Sequence, residues 1–283
     1  MEDRDFAAAA GALKAADALL ITAGAGLGVD SGFPDFRGGS GFWGAYPPYA
    51  KLGIEFEQLA CPRTLNNDAE LFWGFYEHRR VLYRDTPPHD GYEILRKWAE
   101  TRPTFVFTSN VDGHFLRSGF GDEQIVECHG SIHHRQCAEP CCSEIRPAEE
   151  GGKADDMASM RAQGAFPRCR RCKGLARPNV LMFGDGGWVA DRTIAQLNRY
   201  KSWLRSVRRA KLVVLELGAG AALATVRREG EDVAQGCQGT LIRVNPRESA
   251  VAQPGDISLP GTALATLRSL SLILDCESPP KRG

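Results

Sequence analysis

The stretch Ile21 to Trp43, ITAGAGLGVDSGFPDFRGGSGFW, decides how the rest of this 283-residue chain is read. An apolar strand end, Ala18-Leu19-Leu20-Ile21, runs into a turn carrying Gly24, Gly26 and Gly28. Such a turn lets backbone N–H groups approach a phosphate, and a helix N-terminus after it adds a positive dipole end. Glycines alone also mark ordinary turns. The run after them sharpens the reading. Gly32-Phe-Pro-Asp-Phe-Arg-Gly38 mixes aromatics with opposite charges, which a turn does not need. The spacing also excludes a dehydrogenase-type site. That fingerprint requires glycine at position 29, where Val29 stands, and an acid about 20 residues further on. Here Asp30 and Asp35 come sooner, inside the loop, so the loop wraps over its ligand.

The chain has 35 basic and 35 acidic side chains, and 43% of its residues are apolar. A chain of this length buries a large core, as one large domain or one domain with an insert. Balanced charge gives no pull toward nucleic acid or an anionic membrane. No apolar run approaches the ~20 residues of a membrane span. The acidic start Met1-Glu-Asp-Arg-Asp5 is unlike a secretion signal. A soluble cytoplasmic protein is the expectation. Of nine cysteines, five fall between Cys137 and Cys172, which reads as metal binding rather than a disulfide framework. Cys61, Cys128, Cys237 and Cys276 are scattered and read as buried free thiols.

Outward from the glycine turn, apolar spacing predicts a helix from Phe6 to Ala18 and a first strand from Leu19 to Ala23. Leu52 to Tyr83 suits a set of short helices, and His89 to Glu100 one more. Thr104–Thr108 and Gln124–Glu127 read as strands. Strand character resumes at Pro178–Phe183, then at Ala210–Leu217 and Thr240–Val244. Helices are expected at Ala190–Arg209, from Gly220 to near Gly230, and at Thr262–Leu270. Strands alternating with helices predict an α/β fold with a parallel sheet covered on both faces. Ser278–Gly283 reads as a frayed basic tail.

Three further runs carry chemistry. Thr108-Ser-Asn-Val-Asp-Gly113 follows a strand, where residues face the ligand crevice of an open α/β sheet; Asn110 and Asp112 are placed to bond a ribose or an amide. In Glu127-Cys-His-Gly-Ser131, His129 offers an imidazole able to take a proton near neutral pH. His133 and His134 read as surface or satisfied core residues. Cys137, then Cys141 or Cys142, then Cys169 and Cys172 form two pairs joined by a long loop, a pattern suited to a closed tetrahedral Zn²⁺ site. Such a site supplies the folding energy that the polar insert lacks. Cys141 is preferred over Cys142 because Pro140 shapes the knuckle. Leu217-Gly-Ala-Gly-Ala221 is a second strand–turn site for phosphate, through Gly218, Ala219 and Gly220.

Gly24 to Gly38 resembles the cofactor loop of the sirtuins, NAD-consuming protein-lysine deacylases, whose pattern is Gly-Ala-Gly-Ile-Ser-x-x-(Ser/Ala)-Gly-Ile-Pro-Asp-Phe-Arg. Leu27, Gly28 and Phe33 are the substitutions. The Thr108–Gly113 run is similar to the family's Thr-Gln-Asn-Ile-Asp-Gly with Ser109 for Gln, and His129 sits in the family's Glu-x-His-Gly context. Arg177-Pro-Asn-Val-Leu-Met-Phe-Gly-Asp185 resembles its peptide-pairing segment, and Val244-Asn-Pro-Arg-Glu248 its adenine-ribose run. The resemblance implies a Rossmann-like lobe, about 8–50, 85–132 and 178–274, and a small lobe from 51–84 and the zinc-binding insert 133–177. It implies NAD and Zn as cofactors, an acylated-lysine protein or peptide as substrate, and nicotinamide and acyl-ADP-ribose as products. Gly24, Ala25, Gly26, Ser109, Asn245 and Arg247 would bind NAD. Asp35, Asn110 and Asp112 would position nicotinamide and ribose, Phe36 would cover the reacting face, and Arg37 would hold the loop or a phosphate. His129 would be the general base. Gly28 and Ser109 shorten two polar contacts, which leaves ADP-ribosyl transfer or NAD hydrolysis as an alternative outcome, and an NAD-sensing module without catalysis as another.

Overall fold

The computed structural model describes residues 2–34, 38–149 and 160–276. Asp35, Phe36 and Arg37 of the expected cofactor set, and the tail from Ser278, lie outside the described residues. The first half contains α1 (Glu2–Ala15), β1 (Ala18–Ala23), α2 (Gly26–Val29), α3 (Gly38–Ala45), α4 (Pro47–Lys51), α5 (Phe56–Leu59), α6 (Pro62–Asn67), α7 (Ala69–Asp85), α8 (Asp90–Ala99), β2 (Thr104–Thr108) and α9 (His114–Arg117). Then come β3 (Ile125–Glu127), β4 (Gly130–Cys137), β5 (Arg146–Pro147), β6 (Ala176–Val180), α10 (Asp191–Val207), β7 (Leu212–Leu217), α11 (Thr225–Gly236), β8 (Thr240–Val244), β9 (Ile257–Leu259) and α12 (Ala263–Cys276).

Six strands form one parallel sheet in the order β3-β2-β1-β7-β8-β9. Every residue of β1 and β7 is buried, as expected of strands covered on both faces. Leu19, Leu20 and Ile21 are fully buried, and each such side chain contributes about 1.5–3 kcal/mol. The chain winds from β1 toward β3 on one side and from β7 toward β9 on the other. Strand order therefore reverses at the β1–β7 pair, and the crevice beyond their carboxyl ends is where an open α/β sheet takes its ligand. A second sheet, antiparallel in the order β5-β4-β6, holds the insert. β6 thus pairs with β4 and not with the large sheet.

Several expected elements differ in extent. The last of the small-lobe helices, α7, is long (17 residues), and its Asp68 N-cap accepts the Leu71 N–H at 3.0 Å. α11 does not stop near Gly230. That glycine is buried against Glu216 and Val214 of β7, and close packing offsets the ~1 kcal/mol of lost helix propensity. α12 runs on to Cys276. β9 is not among the expected strands: its three residues lie between Gly255-Asp256 and Pro260-Gly261, which carry turn signals. His133 and His134 are half-buried in β4, not in an exposed stretch. No helix among the described residues is long and apolar enough to cross a membrane.

Candidate functional site

The glycine turns after β1 and β7 meet backbone to backbone. The Gly24 N–H donates to Leu217 O at 3.0 Å, and the Gly26 N–H to Gly218 O at 3.0 Å. A Cβ on Gly24 would lie 2.7 Å from the Ala219 Cα, and one on Gly218 only 2.3 Å from the Leu27 N. Gly218 also has φ +61°, a conformation that side chains disfavour. The expected helix after the first turn is the single four-residue turn α2. Its dipole is correspondingly small, so individual N–H groups matter more. Those of Ala25, Ala219 and Gly220 find no acceptor among the described residues. Ala219 is buried and Gly220 half-buried, where backbone donors rarely stay unpaired, and with the exposed Ala25 N–H beside them they suit the oxygens of a diphosphate. The residues present thus fit NAD at this end.

The neighbouring strand end brings in polar side chains. Thr108 Oγ1 donates to Ala23 O at 2.9 Å, and Asn110 Nδ2 donates to Gly24 O at 3.1 Å, so Asn110 is tied to the first glycine turn. Ser109 is half-buried and donates its N–H to Ala23 O at 3.1 Å. Asp112 Oδ1 accepts the His114 N–H at 2.9 Å across Gly113, which sits at φ +72°. The Asp112 carbonyl is 2.8 Å from His133 Nε2. Burial pushes the Asp112 carboxyl above its ordinary range. Thr108, Asn110, Asp112 and Glu127 share one shallow hollow.

Thr108 of β2 pairs with Glu127 of β3, so Asn110 and His129 each leave a neighbouring strand end two residues on. His129 lies between the two sheets: its carbonyl accepts the Leu181 N–H at 2.9 Å, just past β6. Gly130 follows at φ +78°, where a Cβ would strike Asn179 O at 2.1 Å. Burial lowers the His129 pKa from 6.5, which keeps the imidazole neutral at pH 7, the form a general base requires. Asn245 is fully buried. It donates from Nδ2 to Ala219 O at 2.9 Å, and its Oδ1 accepts from the Arg247 and Glu248 N–H groups at 3.0 Å. Its side chain therefore braces the second glycine turn, with Arg247 beside it.

In the insert, the Sγ atoms of Cys137, Cys141, Cys169 and Cys172 all lie within 4.8 Å of one another. Cys137–Cys172 and Cys141–Cys169 are each 3.6 Å apart. Four thiolates around Zn²⁺ at ~2.3 Å stand about 3.8 Å apart, so the residues fit that ion. Cys142 Sγ is 3.8 Å from Cys141 but outside the group of four. The backbone N–H groups of Cys172 and Arg171 pull the Cys169 thiol down to about 6, which favours the thiolate ligand.

Two charged features were not singled out from the sequence. Arg79 is buried over the rings of Phe56, Phe75 and Tyr83 at 5.2–5.6 Å and donates to the Tyr83 hydroxyl at 2.7 Å. Glu77 pairs with Arg80 at 2.5 Å, with Arg135 3.7 Å away. Both belong to α7, where charges at buried helical positions were the available signal.

A parallel α/β sheet with donors at its switch point, a neutral histidine and a four-thiol insert defines a zinc-bearing, nucleotide-binding enzyme class. Comparison with known proteins narrows it. The Sir2 family model matches residues 24–203. A protein of Pyrobaculum aerophilum named NAD-dependent protein deacylase 2 is 30% identical over 253 residues, covering 86% of each chain. One of Aquifex aeolicus named NAD-dependent protein deacylase is 33% identical over 168 residues, 59% of this chain and 62% of that relative, under two thirds of its length. The crystal structure of a Sir2 homolog–NAD complex superposes with a TM-score of 0.73 at 24% identity, covering 95% of this chain and 94% of that one, which speaks to the fold. The chain belongs to the Sir2 family.

Proposed function

We propose that this protein is an NAD⁺-dependent protein-lysine deacylase that releases nicotinamide and an acyl-ADP-ribose. The observation that carries the reading is His129, neutral at working pH and set two residues beyond β3, next to the strand end that carries Asn110 and Asp112. Relatives named NAD-dependent protein deacylases support it. Bound NAD⁺ supplies an electrophilic ribose carbon and a leaving nicotinamide. The chain's own residues do the rest. Ala25, Ala219 and Gly220 offer N–H groups to the diphosphate. Asn110 and Asp112 orient the nicotinamide ribose, with Asp35, Phe36 and Arg37 of the loop assigned to the same end and Asn245 and Arg247 to the adenine side. His129 Nε2 or Nδ1 takes a proton from a ribose hydroxyl. The half-exposed Leu181, beyond β6, begins the extended segment on which a substrate peptide adds as a strand. Cysteines gathered into a four-thiol metal site suit a reducing, cytoplasmic setting.

The test is incubation with NAD⁺ and a panel of acyl-lysine peptides. Nicotinamide release should require the acyl-lysine, and His129→Ala should lower kcat by ~10²–10⁴-fold, the usual worth of a positioned base. Nicotinamide release that ignores the peptide would instead support ADP-ribosyl transfer or hydrolysis.

A further inference from the structure

β3 is an edge strand of three residues, yet the chain leaves it directly for His129. Edge strands leave backbone groups facing outward that must be satisfied. Here α10 meets them with side chains. Gln196 Oε1 accepts the Glu127 N–H at 3.1 Å, and Thr193 Oγ1 donates to the Glu127 carbonyl at 3.1 Å. The Arg192 guanidinium lies 2.5 Å from the Glu127 carboxylate. Arg192 and Arg199 also hold Asp122, in the turn before β3, at 3.3 and 3.0 Å. Positions 192, 193, 196 and 199 fall on one face of a helix. Thr193 and Gln196 are 3% and 1% exposed, in places an apolar side chain would ordinarily fill. Burying a polar group is unfavourable unless it is hydrogen-bonded, and the outward groups of Glu127 are the partners of Thr193 Oγ1 and Gln196 Oε1.

This matters for how the His129 imidazole is held. Among the described residues no side chain hydrogen-bonds its imidazole. Its direction comes from the backbone: Cys128 N to Thr108 O at 2.8 Å on one side, Leu181 N to His129 O at 2.9 Å on the other, and Glu127 just before. We propose that Thr193 and Gln196 are positioning residues for His129, which by holding both backbone groups of Glu127 fix the line along which the imidazole enters the crevice. The kinetic part of this proposal rests on the deacylase reading.

Thr193→Val keeps shape and removes the hydroxyl; Gln196→Met keeps length and removes the acceptor. Each should lower kcat on an acyl-lysine peptide by ~10- to 100-fold, as a misplacement of about 1 Å does, with KM for NAD⁺ and for peptide within about twofold. The apparent pKa of the acidic limb should shift in the same variants, and Thr193→Ser should behave as wild type. In the protein without NAD⁺, NMR should show a changed His129 imidazole titration and faster exchange of the Cys128 amide in both impaired variants. The proposal is overturned if the variants only melt earlier while kcat and the titration stay put, if KM moves instead of kcat, or if Thr193→Ser is as impaired as Thr193→Val. Should wild-type protein prove inactive on every peptide, the deacylase reading falls alone, and the titration and exchange measurements decide on the clamp.

Discussion

The two lobes are held together by different means. The large lobe is a parallel ladder whose central strands are mainly apolar and wholly buried, with one buried ion pair, Glu216–Arg243, across β7 and β8, and its ligand crevice joins backbone N–H groups to the side chains of Asn110 and Asp112. The small lobe buries Arg135, Gln136, Arg177 and Asn179 in its sheet and gathers four thiols at the end of β4. One ion pair, Arg177–Asp185 at 2.6 Å, is almost wholly shielded from water. Many interchangeable apolar contacts tolerate the loss of any one. A few specific polar contacts do not, because a stranded partner is left buried. The small lobe packs several such contacts into one three-stranded sheet, with the four thiols at its end.

Removing the metal from those thiols should break the contrast most completely. Structural Zn²⁺ contributes ~10–16 kcal/mol of apparent binding energy to small metal domains. Cys169→Ser, or a strong chelator, should release zinc, open residues 138–149 and 160–175 to limited proteolysis and abolish deacylation. The α/β circular dichroism of the large lobe should persist. A Cys169→Ser protein that keeps stoichiometric zinc and resists protease would place the small lobe's stability elsewhere.

In the large lobe the matching attack is on backbone, not on a side chain. Gly218→Ala puts a Cβ 2.3 Å from the Leu27 N in a left-handed conformation. Separating the two glycine turns should cost about 3 kcal/mol of stability, the upper end of the range for strain at such positions. Calorimetry should find NAD⁺ affinity lost in whatever folded protein remains, while zinc content is unchanged. Retained affinity would mean that the two turns need not touch.

How much of this was legible in the residues follows the same division. The strands of the large sheet were legible because a buried parallel strand is a near-continuous apolar run, as in Leu212–Leu215 of β7. The four thiols were legible because cysteine spacing is a chemical signature, and Cys141 over Cys142 agrees with the cluster geometry. What stayed hidden depends on pairing. β6 joins β4 instead of the large sheet, which no local pattern of Ala176–Val180 announces. The bracing role of Asn245 appears only once Ala219 is folded against it. The contacts of Thr193 and Gln196 on α10 are hidden too, since nothing local says that an edge strand lies over them.

At the joint between the lobes, two departures from the family pattern explain one another. Phe33 packs its ring on Gly28, on Tyr83 of α7 at 4.6 Å and on His114 at 4.7 Å. A Cβ on Gly28 would meet the Phe33 ring at 2.7 Å. The bulk at position 33 takes the room a serine would need at 28. Gly28→Ser alone should destabilise by ~1–3 kcal/mol through overpacking, and Gly28→Ser with Phe33→Ile should recover most of it. Denaturant midpoints of the two single variants and the double variant measure this. Strict additivity would show that the residues do not compete for space.

The smallest effect concerns protons at the same joint. Burial holds His114 down to about 4, with Arg117 and His89 adding positive charge nearby and the rings of Phe33 and Tyr92 closing around it. The unfolded imidazole titrates near 6.5. Its folded pKa is depressed, so the neutral ring contributes stability that is complete above pH 6.5 and lost as pH falls toward 4. Glu127 opposes this: burial raises its carboxyl to about 7, so its burial becomes less unfavourable as pH drops from 7 to 4.5. Comparing wild type with His114→Phe isolates the first contribution, because Glu127 is common to both. The variant loses the bond to Thr86 O and starts lower at pH 7.5. Its stability should then fall less steeply between pH 6.5 and 5, by roughly half of the ~1.4 kcal/mol per pH unit that one unscreened proton allows. Parallel pH profiles for the two proteins would show that His114 is protonated without resistance, and that the joint is wetter than its packing implies.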